Sequence, residues 1–218
     1  MKSLYIIGAG GFSKQVVEIV EKMNEQQPQY QIEGMIDDDP HLSGQNILGY
    51  PVIGNTQKLV QIASRQPVSA VVAFSVIHTR HMIVSQFNEI DWVNLVHPSA
   101  VISRTLTMGR GNIICAGTII NPDCVIHNHC HINIGCTLGH DVTLKNYVTL
   151  MPGCHLSGNV SLHQHTTIGT GASILPGLSV GRNTIIGAGA VLTRPAKPHG
   201  IYTGLPARRK KHLPDPEE

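Results

Sequence analysis

The chain has 218 residues, 4% aromatic and 14% charged, with 22 glycines and a formal charge of +2 at pH 7. Its length is enough for one large domain or two small ones with ample core. The near-neutral balance gives no general basic field for nucleic acid. No apolar run approaches the roughly 18 residues needed to span a bilayer, so no membrane anchor is expected. Met1-Lys2-Ser3 leads straight into a strand-like run without a cleavage site, and a cytoplasmic location follows as the expectation.

In chain order, residues 3 to 7 read as a buried parallel strand, followed by Gly8-Ala9-Gly10-Gly11-Phe12-Ser13. Lys14 to Met23 then places Val16, Val17, Ile19 and Val20 at helical spacing. Strand, Gly-rich turn and helix form the geometry that aims backbone N–H groups at a phosphate. The fingerprint is partial, because its last position is Ser13, and a plain tight turn remains the alternative.

A second strand near Ile32 to Ile36 ends in Asp37-Asp38-Asp39-Pro40. Carboxylates at the C-terminal edge of a parallel strand lie where a ribose or a base N–H could be bound, or they form a solvated turn. A helix over 56–65, a strand over 69–74, a helix over 78–88 and a strand over 92–96 complete a small βαβ domain, placed at residues 1–92.

From Val96 to Leu192 an aliphatic residue falls at every sixth position, seventeen times without a skip. Val, Ile, Leu and Met make up roughly three in ten residues, so chance would fill about five of those positions. A period of six fits neither a helix nor a two-sided strand. It predicts a parallel β-helix whose coil has three flat faces, with Gly or Asn at the corners and a small residue beside each inward anchor. The β-helix is placed at 93–198, and residues 199–218 form a cap and tail. The basic run Arg208-Arg209-Lys210-Lys211 is either solvated or a partner for anionic groups.

Four of the five cysteines (124, 130, 136 and 154) occupy the small inward position, where a thiol acts as a small hydrophobe; neither disulfides nor a zinc finger are expected. His127, His129 and His131, with His163 and His165 two coils later, invite a metal reading. Zinc needs three or four converging ligands, and no metal is expected here. Chemistry on a packed solenoid must come from outward side chains. His140 stands out because Gly139 precedes it and Asp141 follows: the carboxylate could fix the ring tautomer and leave the other nitrogen as a base.

The hexapeptide run, read with its flanks, resembles the left-handed β-helix acyltransferases, and more narrowly the NeuD/PglD-like sugar acetyltransferases. The marks are Ile6-Ile7-Gly8-Ala9-Gly10-Gly11, Met35-Ile36-Asp37-Asp38, His97-Pro98-Ser99-Ala100, Gly139-His140-Asp141, Leu156-Ser157-Gly158-Asn159-Val160, Ile186-Gly187-Ala188-Gly189-Ala190-Val191 and Gly204-Leu205-Pro206-Ala207. The resemblance implies an α/β Rossmann-like domain followed by a left-handed β-helix, assembled as a homotrimer with acetyl-CoA between neighbouring β-helices. It implies acetyl transfer to the amino group of a nucleotide-linked 4-amino-dideoxy sugar in surface polysaccharide synthesis. His140 matches the general base and Asp141 the residue that orients it. Gly158, Thr149, Thr170 and Ala188 fall on the acetyl-CoA side, Gly158 as donor of a backbone N–H to the acetyl carbonyl. Gly8, Gly10, Gly11, Asp37, Asp38 and Arg80 fall on the nucleotide-sugar side.

This chain departs from the family in two places. Thr149 stands where some members carry a second histidine, and Phe74-Ser75 replaces a Gly-Asn pair ahead of Arg80. O-acetylation of a sialic-acid-like sugar, and a non-catalytic β-helical scaffold, remain alternatives at this level.

Overall fold

A computed structural model describes residues 1–214. The chain divides into two compact units, one formed by Met1–Pro98 with Arg110–Asn112, the other by Ser99–Gly109 with the chain from Ile113 onward.

In the first unit, β1 (Lys2–Ile7), β2 (Tyr30–Ile36), β3 (Asn46–Ile47), β4 (Tyr50–Gly54), β5 (Ser69–Val72) and β6 (Asp91–Trp92) form one sheet in the order β3-β4-β2-β1-β5-β6. Every pairing is parallel except the β3–β4 hairpin. Helices α1 (Gly11–Gln26), α2 (Thr56–Ala63) and α3 (Ile77–Gln86) connect the strands. Val16, Val17, Ile19 and Val20 are all buried, which accounts for α1's apolar stripe. The hairpin has no sequence forecast because its two-residue turn is Leu48-Gly49, with φ of 49° and 91°. Both angles are those of a type I′ turn, and leucine is a rare occupant of the left-handed region.

The second unit is the parallel β-helix, built of two-residue strands. A first face stacks Val101–Ile102, Ile119–Ile120, Thr137–Leu138, His155–Leu156, Ser173–Ile174 and Val191–Leu192. A second face runs from Thr107–Met108 to Ser179–Val180, and a third from Ile113–Ile114 to Ile185–Ile186. The third face is extended by Gly200–Thr203, against which the basic strand Arg208–His212 pairs antiparallel. The C-terminal basic run therefore forms the outer strand of a cap, and Arg209 donates to the carbonyls of Pro198 and His199.

Each coil takes eighteen residues, as the pairings Ile120 with Leu138 and Leu138 with Leu156 show. Most corners place a residue in the left-handed region three places after the anchor. Glycine fills it at 111, 117, 135, 153, 171, 177 and 189; Asp123, His129, Asp141, Tyr147, Asn159, His165 and Asn183 fill it elsewhere, these seven with φ between 50° and 62°. Two places after an anchor the ladder needs no N–H. Pro122, Pro152 and Pro176 stand at that position, where a missing donor costs nothing.

The small inward position does more than fill space. Cys124, Cys130, Cys136, Cys154, Thr118 and Thr166 each donate to a corner carbonyl fifteen residues on, at 3.1–3.2 Å. A thiol or hydroxyl there satisfies a buried acceptor that the strand ladder leaves out. Burial pushes Cys124 up and Cys115 up to about 12, and Cys154 is raised by the neighbouring Cys136 and by burial. These three remain thiols, which suits donors and disqualifies nucleophiles.

Thr166 tests this bonding, since its hydroxyl serves both His163 and Gly181 carbonyls and is wholly buried. Thr166→Val keeps the shape but orphans both acceptors, and should lower unfolding free energy by about 1–3 kcal/mol in urea titration. Thr166→Ser should retain most of it. Equal stability of the Val and Ser variants would show that the bond carries no weight.

Candidate active site

His140 lies at the corner between the first and second faces, just after the strand Thr137–Leu138. Its Nδ1 is 2.7 Å from Asp141 Oδ2. Asp141 is itself the corner residue in the left-handed region, with φ of 59°. The short polar side chain that tolerates this conformation is thus also the one that reaches the neighbouring ring. With Nδ1 donating to the carboxylate, Nε2 is left as an acceptor. Both side chains are open, at 63% and 51% exposure, so a substrate can reach the ring.

One coil on, Gly158 occupies the position that stacks on His140. A Cβ at Gly158 would lie 2.6 Å from His140 Nε2 and 2.7 Å from Cε1. The imidazole therefore packs directly over this glycine, and any larger residue would strike the free ring nitrogen. The surrounding backbone is tied down on every side. Asn159 N–H donates to the His140 carbonyl at 2.9 Å, Gly177 N–H to the Gly158 carbonyl at 3.0 Å, and Cys124 Sγ to the Gly139 carbonyl at 3.1 Å. The Gly158 N–H falls two places after an anchor, where the ladder offers no acceptor. Among the described residues it has no hydrogen-bond partner. An acceptor ring nitrogen and a spare backbone donor thus share one corner.

The other residues expected on the acetyl-CoA side lie apart from this pair within the chain. Thr170 and Ala188 stack on one another at the corner between the third and first faces, where Gly189 N–H reaches the Thr170 carbonyl at 2.8 Å. Both are exposed. Thr149 is buried on the third face, in register with His131 and Thr167, half a coil from His140.

Three histidines of the metal reading have other partners. His129 stacks on Tyr147 with centroids 5.3 Å apart, and His165 sits on the same ring at 5.4 Å. Lys145 Nζ is 3.3 Å from His127 Nε2. Burial, then the Lys145 charge, lower the His127 pKa. Among the described residues no three His, Cys, Asp or Glu side chains converge as a metal site. No helix among them is long and apolar enough to cross a membrane.

In the N-terminal unit the sheet order reverses at β1, with β2 on one side and β5 on the other. In open α/β sheets the crevice beyond such strand ends is where ligands bind. Gly8 ends β1 with φ of 106°, and a Cβ there would meet Phe74 Cδ1 at 2.9 Å. Conformation and close approach both demand glycine. Gly10 caps α1, and a Cβ on Gly10 or Gly11 would meet nothing within 4 Å, so the turn leaves open space at the helix N-terminus. Ser13, where the fingerprint has its third glycine, is fully buried and donates to the Gly10 carbonyl at 2.6 Å.

Asp37 accepts from Ala9 N–H at 2.8 Å and Asp39 N–H at 2.9 Å, so it clamps the Gly-rich turn to the end of β2. Asp38 accepts from both the N–H and the hydroxyl of Thr56 at the start of α2. Each carboxylate retains lone pairs for a ligand. The sequence reading did not foresee this internal role, because the donors lie up to 28 residues away. Arg80, expected on the substrate side, is completely buried on α3.

Comparison with known proteins agrees with this arrangement. The PglD N-terminal domain model matches residues 3–87, and the bacterial transferase hexapeptide (six repeats) model matches residues 159–194. No curated protein matches the chain. Among solved structures, PerB from Caulobacter crescentus, in complex with CoA and GDP-perosamine, is 30% identical over 97% of this chain and 98% of that one, with a TM-score of 0.88. The acetyltransferase domain of PglB from Neisseria gonorrhoeae FA1090, in complex with acetyl coenzyme A, is 28% identical over 96% and 99%, with a TM-score of 0.86. WeeI from Acinetobacter baumannii AYE is 27% identical over 96% and 100%, with a TM-score of 0.84. With two-unit architecture, corner histidine and full-length likeness in agreement, the chain belongs to the PglD-like family of left-handed β-helix sugar N-acetyltransferases.

Proposed function

We propose that this acetyl-CoA-dependent sugar N-acetyltransferase acts on the amino group of a nucleotide-linked 4-amino-dideoxy sugar, with His140 as general base. The observation that carries the reading is the contact of His140 Nε2 with Gly158, while Asp141 holds Nδ1. The amine nitrogen attacks the thioester carbonyl carbon and gives its proton to Nε2. The tetrahedral oxyanion is stabilised by the Gly158 N–H, a preorganised donor with no side chain to obstruct close approach. Collapse breaks the C–S bond, and the imidazolium returns the proton to the departing thiolate. No acyl-enzyme is needed, consistent with the burial of all five cysteines.

In this reading the Gly8–Gly11 turn and α1 N-terminus receive phosphate groups of the acceptor nucleotide, with Asp37 and Asp38 beside them. A diphosphate carried by the acceptor has its counterpart in GDP-perosamine, which PerB binds. A homotrimer completes the acetyl-CoA site. The His140–Gly158 corner and the Thr170–Ala188 corner border opposite edges of the first face, so both can line one donor only across two copies. The first face also exposes Val101 and Ile119 at 62% and 41%, apolar surface suited to burial between copies. Surface glycan synthesis in the cytoplasm is the setting this chemistry fits.

His140→Ala should lower kcat by about 10² or more with the melting temperature little changed. Near-wild-type turnover would remove His140 from the mechanism. Gly158→Ala drives a methyl group into Nε2, and we expect at least a tenfold loss of kcat that Gly139 or Asp141 cannot compensate; an unchanged rate would show that the ring is free to move. A thermal-shift panel of UDP-, GDP-, dTDP- and CMP-sugars, each with and without acetyl-CoA, should give one nucleotide whose stabilisation Gly10→Asp abolishes. A shift that survives Gly10→Asp would place the nucleotide elsewhere.

A further inference from the structure

Beyond the C-terminal ends of β2, β1 and β5 the crevice has two unlike sides, with the Gly-rich turn between them. Gly8 N–H donates to the Ile36 carbonyl at 2.7 Å on the β2 side, and Ala73 N–H donates to the Ile7 carbonyl at 2.7 Å on the β5 side. On the β2 side stand Asp37, Asp38 and Asp39, none of which forms an ion pair among the described residues. On the β5 side stand Phe74, Ser75 and Val76, ahead of α3. One side accepts hydrogen bonds from hydroxyl groups; Phe74 and Val76 make the other a surface of carbon.

The apolar side is held in place by the fold and left open by it. Phe74 packs against the core cluster that includes Ile7, Val72 and Ile83, and its Cδ1 closes on Gly8, yet the residue is only half-buried. Val76 is 60% exposed although it is the N-cap of α3. Ser, Thr, Asp and Asn satisfy the free N–H groups at that position, and Val76 makes no side-chain cap. The chain therefore gives up a cap and keeps an aliphatic side chain in water beside a ligand crevice. Sequences break local rules of this kind chiefly where a site needs the residue.

The order of the strands says which part of the ligand meets this surface. With phosphates at the α1 N-terminus beyond β1, as proposed above, the ribose hydroxyls donate to the carboxylates at the end of β2. Neighbouring strands are about 4.8 Å apart, so the group that follows the diphosphate comes down at the end of β5. In the acceptor that group is the sugar. We propose that Phe74 and Val76 seat the apolar C5–C6 edge of the acceptor sugar and select a 6-deoxy sugar over its 6-hydroxy counterpart. A C6 methyl on this seat exchanges water for carbon, whereas a C6 hydroxyl loses water and finds no acceptor on Phe74 or Val76. An apolar surface rejects an added hydroxyl by about a hundredfold at most. The inference rests on the nucleotide-sugar acceptor proposed above and adds the residues that read the sugar.

Two matched pairs of acceptors test it on the full chain: GDP-4-amino-4,6-dideoxymannose against GDP-4-amino-4-deoxymannose, and UDP-4-amino-4,6-dideoxyglucose against UDP-4-amino-4-deoxyglucose. In the nucleotide series that the parent uses, kcat/KM should favour the 6-deoxy member at least tenfold. Phe74→Ala and Val76→Ser should each cut that ratio at least threefold, while the calorimetric Kd for plain GDP or UDP stays within twofold of the parent. Val76→Ser supplies the missing N-cap, so its loss of preference does not come from a weakened fold. Equal rates on both members of the pair in the parent, or an unchanged ratio in both variants, overturns the proposal. So does a parallel loss of plain GDP and UDP binding in Phe74→Ala, which would put the base at β5. Failure of the acetyltransferase reading looks different: the parent then acetylates no member of either pair. The seat is still judged by the calorimetric Kd ratio of 6-hydroxy to 6-deoxy member, where a ratio near one overturns it.

Discussion

The eighteen-residue stacking step is the constraint on which the rest depends. Strand pairing repeats it without interruption, from Ile120 with Leu138 through Leu138 with Leu156 to Leu156 with Ile174. Two-residue strands are far too short to be stable alone, so each is held only by the coils above and below. The same ladder that stabilises the solenoid puts residue 140 over residue 158 with little freedom to shift. In the proposed mechanism, a base and an oxyanion donor set by backbone hydrogen bonds need no ordering when substrate arrives, which is the physical content of preorganisation.

Corner chemistry then separates structural positions from reactive ones. Three places after most anchors the backbone turns left-handed, and two places after them the ladder leaves an N–H over. Many corners spend these features silently, through glycine at the first or proline at the second. At Gly139-His140-Asp141 the left-handed residue is an aspartate that grips the ring, and at Gly158 the spare N–H lies beside the ring nitrogen. The second-face corner uses the same scaffold differently, stacking Lys145 on His127 and His129 on Tyr147. Function on this fold is a matter of which corners depart from the silent pattern.

The N-terminal unit shows the opposite economy, with polar residues that serve the fold and, in the proposed function, the ligand as well. Asp37 ties Ala9 to β2, and Ser13 closes the turn on Gly10. Loss of Asp37 would loosen the turn as well as remove an acceptor, so its variants report on both at once. Phe74 fills the space that Gly8 leaves.

The β-helix was legible in the sequence because a strict period leaves its mark at every repeat: seventeen aliphatic anchors, small inward residues and corner glycines are all local signals. His140 and Asp141 were legible because they are adjacent, and Gly158 because it lies one period away. Only tertiary structure could decide what depends on stacking or on long-range packing. The contact of Nε2 with Gly158 is of this kind, as are the thiol bonds fifteen residues long, the separation of Thr149 and Thr170 from the base, and the burial of Arg80.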